Sequence, residues 1–322
     1  MEYTGSISMK YFLYFHLIPM QQYTANVLAK WQVVIPKDLR DEMGINVWDT
    51  LTCFARWSAI VLKKKIQTIA YGSDTDKAQL PMGVENGKTL TVAIEEMRGT
   101  TCLIGKQWFG KTVHALNMMI NMYLAWKSII VLDPYGDLIS EIKNYIADLG
   151  DTSVYHYIVW ESKDWGLLKN KILKDKKQKI VAISTNFQWI GAKKSAELSK
   201  PIIMDCCKEL MNNETALFID EFSTYFDEKI LSTVVTTPGY KFIIDQSRDA
   251  LSRDQVKKLF SKINHIAIYQ ATWITAKYLV DDLGLSHTVQ DLRSIEKHHF
   301  YFYSFNGNKS AGKLLLGLYP IS

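Results

Sequence analysis

The chain has few cysteines for its length. Of 322 residues only four are cysteine, namely Cys53, Cys102, Cys206 and Cys207. No two of them form a Cys-x-x-Cys pair, and no histidine stands near them at the spacing of a zinc site. This scarcity argues against a disulfide-stapled or zinc-stabilised protein. It indicates a reducing setting, and we expect a cytoplasmic protein, in the host cytoplasm if a virus or plasmid encodes it.

Long apolar runs are also missing. The stretch 11–20 is about half the length that a membrane-spanning helix needs, and it contains His16 and Pro19. No other stretch reaches the roughly 18 consecutive apolar residues of a transmembrane helix. We therefore expect no integral membrane segment. No internal repeat is apparent either.

Neither sign of charge is in large excess. The chain has 38 Lys and Arg against 33 Asp and Glu, so the formal net charge is +5. This balance permits a local nucleic-acid-binding patch but does not by itself argue for one. Hydrophobic residues make up 48% of the chain, enough for a real core. A chain of this length predicts a small and a large unit rather than one domain.

The most informative motif is a phosphate-binding loop. Residues 105–112 read Gly-x-x-x-x-Gly-Lys-Thr, after a run suited to a strand (100–104) and before one suited to a helix (113–126). Two glycines let backbone N–H groups surround a β-phosphate, Lys111 neutralises β- and γ-oxygens in catalysis, and the Thr112 hydroxyl ligates Mg²⁺. The nucleotide contacts expected in and after the loop are Gly105, Lys106, Gly110, Lys111, Thr112 and Val113.

Two carboxylates follow a predicted strand at 216–219, and they are Asp220 and Glu221. A hydrolase with a phosphate loop needs both, because Asp220 would hold Mg²⁺ through water and Glu221 would polarise the water that attacks the γ-phosphorus. The alternative is a buried strand that merely ends in a charged loop. The second carboxylate favours hydrolysis over a kinase reaction, since it activates water.

Two further strand ends carry polar side chains. Asp133 follows the apolar run 129–132, and Gln246 ends the run that begins at Lys241. The carboxyl ends of parallel strands open into one ligand crevice. We therefore expect Asp133 to contribute to the nucleotide site and Gln246 to lie beside the γ-phosphate. An ordinary junction between strand and loop explains Gln246 equally well when it is taken alone.

Strands and helices alternate over some 200 residues. This alternation indicates an α/β fold whose mostly parallel sheet is covered by helices on both faces. The predicted elements, in chain order, are strand 90–94, strand 100–104, helix 113–126, strand 128–132, helix 138–149, strand 154–160, strand 179–184, helix 192–211 and strand 216–219.

Taken together, residues 81–320 resemble the HerA/FtsK superfamily of ring-forming ATPases that pump DNA. Besides the phosphate loop, the matching segments are 83–87, 94–97, 132–136, 219–221, the strand ending at Gln246, 262–269 and 276–284. The resemblance implies a RecA-like P-loop NTPase core, ATP and Mg²⁺ as cofactors, a hexameric ring and movement of double-stranded DNA. Bulky residues at 107–109 depart from the small ones usual in that family, so slower or altered turnover is expected.

The same resemblance implies an arginine that acts across a subunit boundary. Such a residue stabilises the charge of the transition state. Arg248, Arg253 and Arg293 are the candidates, and the first two are favoured because they follow the strand of Gln246. Either could equally be a surface ion-pair residue. The basic run 169–179 could face DNA, although such a run is more often one solvated helix face.

Residues 23–65 predict a strand, a short helix and a hairpin. Pro36 suits a helix start and Gly44 a helix end, while the apolar runs 51–55 and 59–62 flank a short turn. This segment resembles the AbrB-like swapped-hairpin family of small DNA-binding domains. One departure is Trp48, which stands where that family has glycine.

This second resemblance implies that two copies of the module interlock into a dimer. It also implies DNA contact through Lys30, Lys37, Arg40 and Arg56. The module could instead serve only to pair subunits, with these charges on a solvated face. The predicted domains are therefore a β-rich AbrB-like module at 1–66, a linker at 67–88 and the HerA/FtsK-like ATPase domain at 89–322.

The leading functional hypothesis is an ATP-driven motor that moves double-stranded DNA. A setting in viral genome packaging or in plasmid or conjugative transfer is favoured, by analogy with the family alone. The alternative is a DNA-binding regulator or partition-type protein whose ATP binding switches assembly. A third reading is an ATPase that moves protein.

Overall fold

The computed structural model divides the chain into two compact units, Met1–Tyr71 with Ile321–Ser322, and Gly72–Pro320. The residues described are 26–28, 32–34, 51–56, 59–64, 79–86, 88–125, 127–136, 138–140, 142, 154–175, 180–185, 187–246, 253–305 and 312–317.

The first unit contains two small antiparallel pairs of strands. Strand β1 (Asn26–Leu28) pairs with β2 (Gln32–Val34), and β3 (Leu51–Arg56) pairs with β4 (Ala59–Lys64). The second pair is the hairpin that the sequence predicts. Arg56 is the last residue of β3, whereas the expected helix and the other proposed DNA contacts, Lys30, Lys37 and Arg40, lie outside the described residues.

One 11-stranded sheet organises the second unit. Its order is β6-β5-β15-β14-β13-β7-β12-β11-β8-β10-β9. The strands are β5 (Gln79–Glu85), β6 (Lys88–Ala93), β7 (Gly99–Gly105), β8 (Ser128–Leu132), β9 (Val154–Ile158), β10 (Ile180–Ser184), β11 (Thr215–Ile219), β12 (Tyr240–Gln246), β13 (His265–Ile268), β14 (His299–Ser304) and β15 (Lys313–Leu316).

The strands from β13 to β9 run parallel, while β14, β15, β5 and β6 continue the sheet antiparallel. The central parallel strands are buried along nearly their whole length. Near-continuous apolar sequence is what a strand covered on both faces requires. The prediction of an α/β fold with a mostly parallel sheet is confirmed.

Helices cover both faces of this sheet. They are α1 (Lys111–Leu124), α2 (Ser162–Lys174), α3 (Phe187–Ile190), α4 (Ala192–Asp205), α5 (Glu228–Thr236), α6 (Arg253–Phe260), α7 (Trp273–Leu283) and α8 (Val289–Arg293). Successive strand residues point to opposite faces. Accordingly, Leu103 packs in one core with Met119 of α1, whereas Ile104 packs in the other core with Ile202 of α4 and Leu231 of α5.

Several elements differ from those predicted. Strand β5 lies within 67–88, which was expected as a linker, so the sheet begins earlier along the chain. The helix expected at 192–211 is an α-helix only to Asp205 and continues as a π-helical turn, Cys206–Leu210. Helix α2 begins at Ser162, before the lysine-rich run 169–179, for which a solvated helix face was one of the two expectations. The antiparallel strands β14 and β15 were also not predicted.

No helix within the described ranges is long and apolar enough to cross a membrane.

Candidate nucleotide-hydrolysis site

The phosphate loop lies between β7 and α1, as the sequence predicts. The backbone φ angle is +154° at Gly105 and +107° at Gly110, conformations that side chains disfavour. A Cβ added to Gly105 would lie 2.5 Å from the Cβ of Tyr269. Glycine at position 105 therefore lets the start of the loop pass against the segment that follows β13.

Lys111 projects into this loop. Its side chain is buried, and Nζ donates hydrogen bonds to the backbone oxygens of Gly105 at 2.7 Å and Lys106 at 2.8 Å. The loop thus holds an ammonium group among its own carbonyls, at the N-terminal end of a helix. Both the charge and the helix dipole favour an anion at this position.

The other predicted loop contacts differ in their surroundings. Thr112 is exposed in the first turn of α1, and Val113 is partly exposed. Lys106 makes two hydrogen bonds to Gln270. Its backbone N–H donates to the Gln270 carbonyl at 2.7 Å, and its Nζ donates to Gln270 Oε1 at 2.8 Å. Lys106 therefore ties the loop to the segment after β13.

Two large aromatic side chains belong to the loop. Trp108 adopts a φ angle of +68° and is 67% exposed. Phe109 is partly buried and packs against the core on the α1 side of the sheet. The two bulky residues thus differ, since Trp108 faces solvent and Phe109 packs on the protein.

Asp220 follows β11 beside the loop lysine. Its backbone N–H donates to the Leu132 carbonyl at 2.9 Å, which joins the ends of β11 and β8. Burial first, and then the nearby carboxylates of Asp133 and Glu221, raise the pKa of Asp220 well above its usual range, while Lys111 opposes the rise. The carboxylates of Asp220, Asp133 and Glu221 and the loop lysine thus lie near one another.

That charge and the donor set fit Mg²⁺. The Thr112 hydroxyl and the Asp220 carboxylate are oxygen ligands, which Mg²⁺ prefers. Among the described residues no group of three or more His, Cys, Asp and Glu side chains could hold a metal. Mg²⁺ keeps several waters and is commonly held by one or two protein groups together with substrate phosphates.

The Asp133 carboxylate accepts hydrogen bonds within the turn that follows β8. Its Oδ1 accepts from the N–H groups of Tyr135 at 3.0 Å and Gly136 at 2.8 Å, and its Oδ2 accepts from Ile139 at 3.1 Å. The residue is almost fully buried. Its carboxylate thus stabilises the turn after β8, and its negative charge acts on Asp220.

Glu221 and Gln246 meet across the ends of β11 and β12. Glu221 is buried, with φ and ψ of 50° and 47° in the left-handed region. The Gln246 side-chain amide Nε2 donates a hydrogen bond to Glu221 Oε1. Residues in this backbone region carry strain that is often found at functional sites. The two side chains expected beside the γ-phosphate are therefore in direct contact.

Sequence reasoning missed three buried polar residues next to this site. Asp245 accepts hydrogen bonds from Ser223 and Gln246. Behind the phosphate loop, His114 Nδ1 lies 2.5 Å from the Tyr269 hydroxyl, and burial lowers the pKa of His114 to about 4. Asp245 could have been singled out from the sequence, because it is an acidic residue in a largely apolar strand. No local pattern links His114 with Tyr269.

The arginine candidates are not brought to the loop by any described contact. Arg248 lies outside the described residues, and Arg253 is the first residue of α6. Arg293 is exposed at the end of α8.

The lysine-rich run packs in part on its own chain. Lys169 Nζ contacts Asp205 Oδ2 at 3.0 Å and Glu209 Oε1 at 2.8 Å. Lys171 lies over the rings of Tyr155 and Tyr157. These contacts support the interpretation of a solvated helix face for this part of the run.

The fold is that of the RecA-like P-loop ATPases. The bacterial conjugative coupling protein TrwBdeltaN70, in its unbound monoclinic form, is similar over 75% of this chain and 89% of its own, at 10% identity and a TM-score of 0.53. VirB4 of Thermoanaerobacter pseudethanolicus is similar over 76% of this chain and 96% of its own, at 9% identity and a TM-score of 0.52.

A third solved structure has a lower TM-score. The genome packaging NTPase B204 from Sulfolobus turreted icosahedral virus 2, in complex with AMPPCP, is matched over 68% of this chain and 98% of its own, at 16% identity and a TM-score of 0.45. No protein-family model and no curated protein matches the sequence. At these identities the first two similarities establish the fold and leave the activity to be argued from the site.

Proposed function

We propose that this chain is an ATP-hydrolysing motor that moves double-stranded DNA and works as a homo-oligomeric ring of the HerA/FtsK type. The observation that carries the hydrolytic part is the placement of Lys111, Asp220 and Glu221 just beyond the carboxyl ends of β7 and β11, which flank β12 in the parallel part of the sheet, with Lys111 and Glu221 both acting on Asp220. A cation inside a phosphate loop and two adjacent carboxylates form the charge pattern that phosphoryl transfer to water requires.

Each residue has a distinct task in this proposal. Lys111 neutralises the β- and γ-oxygens of ATP, and Thr112 with Asp220 would hold Mg²⁺, which supplies further neutralisation of the developing charge. Glu221 accepts a proton from the attacking water as the water oxygen bonds to the γ-phosphorus and the bond to the ADP oxygen breaks. Gln246 holds Glu221 and lies where the γ-phosphate would be sensed.

Movement of DNA is the finer part of the proposal. It is supported by the sequence motifs and by a fold shared with a conjugative coupling protein, which suggests DNA transfer as the setting. Packaging as the setting is supported by the sequence motifs alone. The N-terminal module would grip DNA or pair subunits. An arginine from the neighbouring subunit, Arg248 or Arg253, would complete each site.

The test is ATP hydrolysis by the full chain, with and without long double-stranded DNA of mixed sequence. Lys111→Ala and Glu221→Gln should each abolish most of the activity. Lys88→Ala and Glu197→Gln are matched controls, because these side chains are exposed on the edge strand β6 and on α4, and they should retain it. Survival of full hydrolysis in Glu221→Gln would show that another group activates the water.

The effect of DNA on the rate of ATP hydrolysis distinguishes a motor from a regulator or partition-type protein. A motor should hydrolyse ATP faster with any long duplex. A regulator or partition-type protein should instead bind one sequence selectively, hydrolyse slowly and show no general stimulation by DNA.

A further inference from the structure

Asp245 is a buried carboxylate to which the proposed chemistry assigns no role. It lies next to the end of β12 and is only 3% exposed. Its Oδ1 accepts hydrogen bonds from the Ser223 hydroxyl at 2.9 Å and from the Gln246 backbone N–H at 2.8 Å. Its Oδ2 accepts from the Ser223 backbone N–H at 3.1 Å. A single side chain thus satisfies three donors.

These donors belong to two different segments of the site. Ser223 lies two residues after Glu221, in the short 3-10 turn Phe222–Thr224. That turn is closed by the bond from the Thr224 N–H to the Glu221 carbonyl at 2.9 Å. Gln246 is the next residue after Asp245, and its side chain contacts Glu221.

We propose that Asp245 is a positioning residue, whose carboxylate fixes the turn that carries Glu221 against the strand end that carries Gln246. This inference rests on the proposed ATP hydrolysis and names a residue that sets its geometry. Misplacement of a reacting group by about 1 Å can cost about a hundredfold in rate. By holding these two segments together, Asp245 also holds Glu221, the proposed water-activating base, in place against Gln246.

Chemistry explains why a carboxylate stands here. An ionised carboxylate offers only acceptors, and two oxygens can serve the three donors present. An asparagine would bring one acceptor oxygen and one NH₂ group, which would face at least one of the donors. Burial of a charge is unfavourable unless hydrogen bonds compensate it. A purely packing role would be met by an apolar side chain, so the arrangement favours a geometric role.

The test compares Asp245→Asn, Ser223→Ala and the double variant in steady-state ATP hydrolysis by the full chain. We expect kcat to fall about 10- to 100-fold in Asp245→Asn, the range seen when a supporting partner of a reactive group is removed. KM should change little, because the phosphate loop is untouched. Ser223→Ala removes one of the three bonds and should lower kcat by a smaller factor.

The double variant gives the readout that a general loss of stability would not produce. If Ser223 acts through Asp245, the double variant should be no slower than Asp245→Asn alone. Ser294→Ala is the control, because its hydroxyl bonds the Gln290 carbonyl on an exposed helix, and it should keep the wild-type rate. If Asp245→Asn does not fold, Ser223→Ala tests the proposal alone: a lower kcat at unchanged KM supports the positioning role, and an unchanged kcat overturns it.

Two failures can be told apart. A wild-type chain that does not hydrolyse ATP overturns the proposed function and this inference with it. A wild-type chain that hydrolyses ATP, with unchanged kcat in Asp245→Asn and Ser223→Ala, overturns the positioning role alone. Multiplicative rate losses in the double variant would also overturn it, since they would mean that the two residues act independently.

Discussion

The side-chain amide of Gln246 donates a hydrogen bond to the carboxylate of Glu221. Gln246 is the last residue of β12, and Glu221, 25 positions earlier in the chain, lies two residues beyond the end of the neighbouring parallel strand β11. The contact joins the proposed water-activating base to the residue expected beside the γ-phosphate. It follows that Gln246 should affect the chemical step more than nucleotide binding.

Gln246→Ala removes the donor that orients Glu221. We expect kcat to fall about 10-fold or more while KM changes less than about 3-fold, because the lost bond supports the transition state and not the phosphate loop. Gln246→Glu should be slower still, since it sets a like charge against Glu221. Gln79→Ala, on exposed strand residue Gln79, is the control. A rise in KM with unchanged kcat would contradict this role.

Gly105→Ala should destabilise the protein. The new Cβ would lie 2.5 Å from Tyr269 Cβ and 3.0 Å from the Tyr269 carbonyl carbon, and overpacking of this kind costs about 1–3 kcal/mol. Urea unfolding measures the change. Gly166→Ala is the matched control, because a Cβ at this position in α2 meets nothing within 4 Å. Alanine there should stabilise the helix by about 0.5–1 kcal/mol.

Tyr269→Phe should also lower stability. The Tyr269 hydroxyl lies 2.5 Å from Nδ1 of the buried His114, and loss of one partner leaves a buried polar atom unsatisfied at a cost of about 1–3 kcal/mol. Tyr157→Phe, at a half-buried tyrosine, should change the free energy of unfolding by less than about 0.5 kcal/mol. Equal effects of the two substitutions in urea unfolding would contradict the importance of the His114 contact.

The pH dependence of stability should report on Asp245. Burial raises the pKa of Asp245 from 3.8 to about 7, so between these values the native state binds more protons than the unfolded state. Stability then falls as pH rises through this window. Relative to Asp245→Asn, the wild type should lose up to about 4 kcal/mol between pH 4 and pH 7.5.

Urea unfolding of both proteins across this range measures the difference, and contributions from other titrating groups largely cancel. A wild-type protein that gains stability over Asp245→Asn as pH rises would contradict the assignment.

The features that the sequence could predict are those that a local residue pattern encodes. The phosphate loop at 105–112, the carboxylates at Asp220 and Glu221 and the apolar parallel strands all follow from spacing and periodicity within a few residues. Helix α2 does carry a local pattern, since its buried residues Trp165, Leu168 and Ile172 are spaced three and four apart. Strand β5 was missed because turn-forming residues such as Pro81 and Gly83 lie within it.

The remaining features depend on contacts between distant residues. His114 and Tyr269 are 155 positions apart, and Asp245 meets Ser223 only because β11 and β12 are neighbours in the sheet. No local periodicity carries that information. The case of Asp133 is different, because its backbone partners lie only two to six residues further along the chain. A carboxylate at the end of a strand fits both a turn and a ligand site, so the sequence alone does not distinguish the two roles.

The most direct test of the central claim is steady-state ATP hydrolysis by the wild-type chain and by Glu221→Gln, each with and without long double-stranded DNA. The account predicts Mg²⁺-dependent hydrolysis that DNA of any sequence accelerates in the wild type. It also predicts loss of most of that activity in Glu221→Gln, with ATP binding retained. Hydrolysis that DNA leaves unchanged, or a Glu221→Gln variant as fast as the wild type, would contradict it.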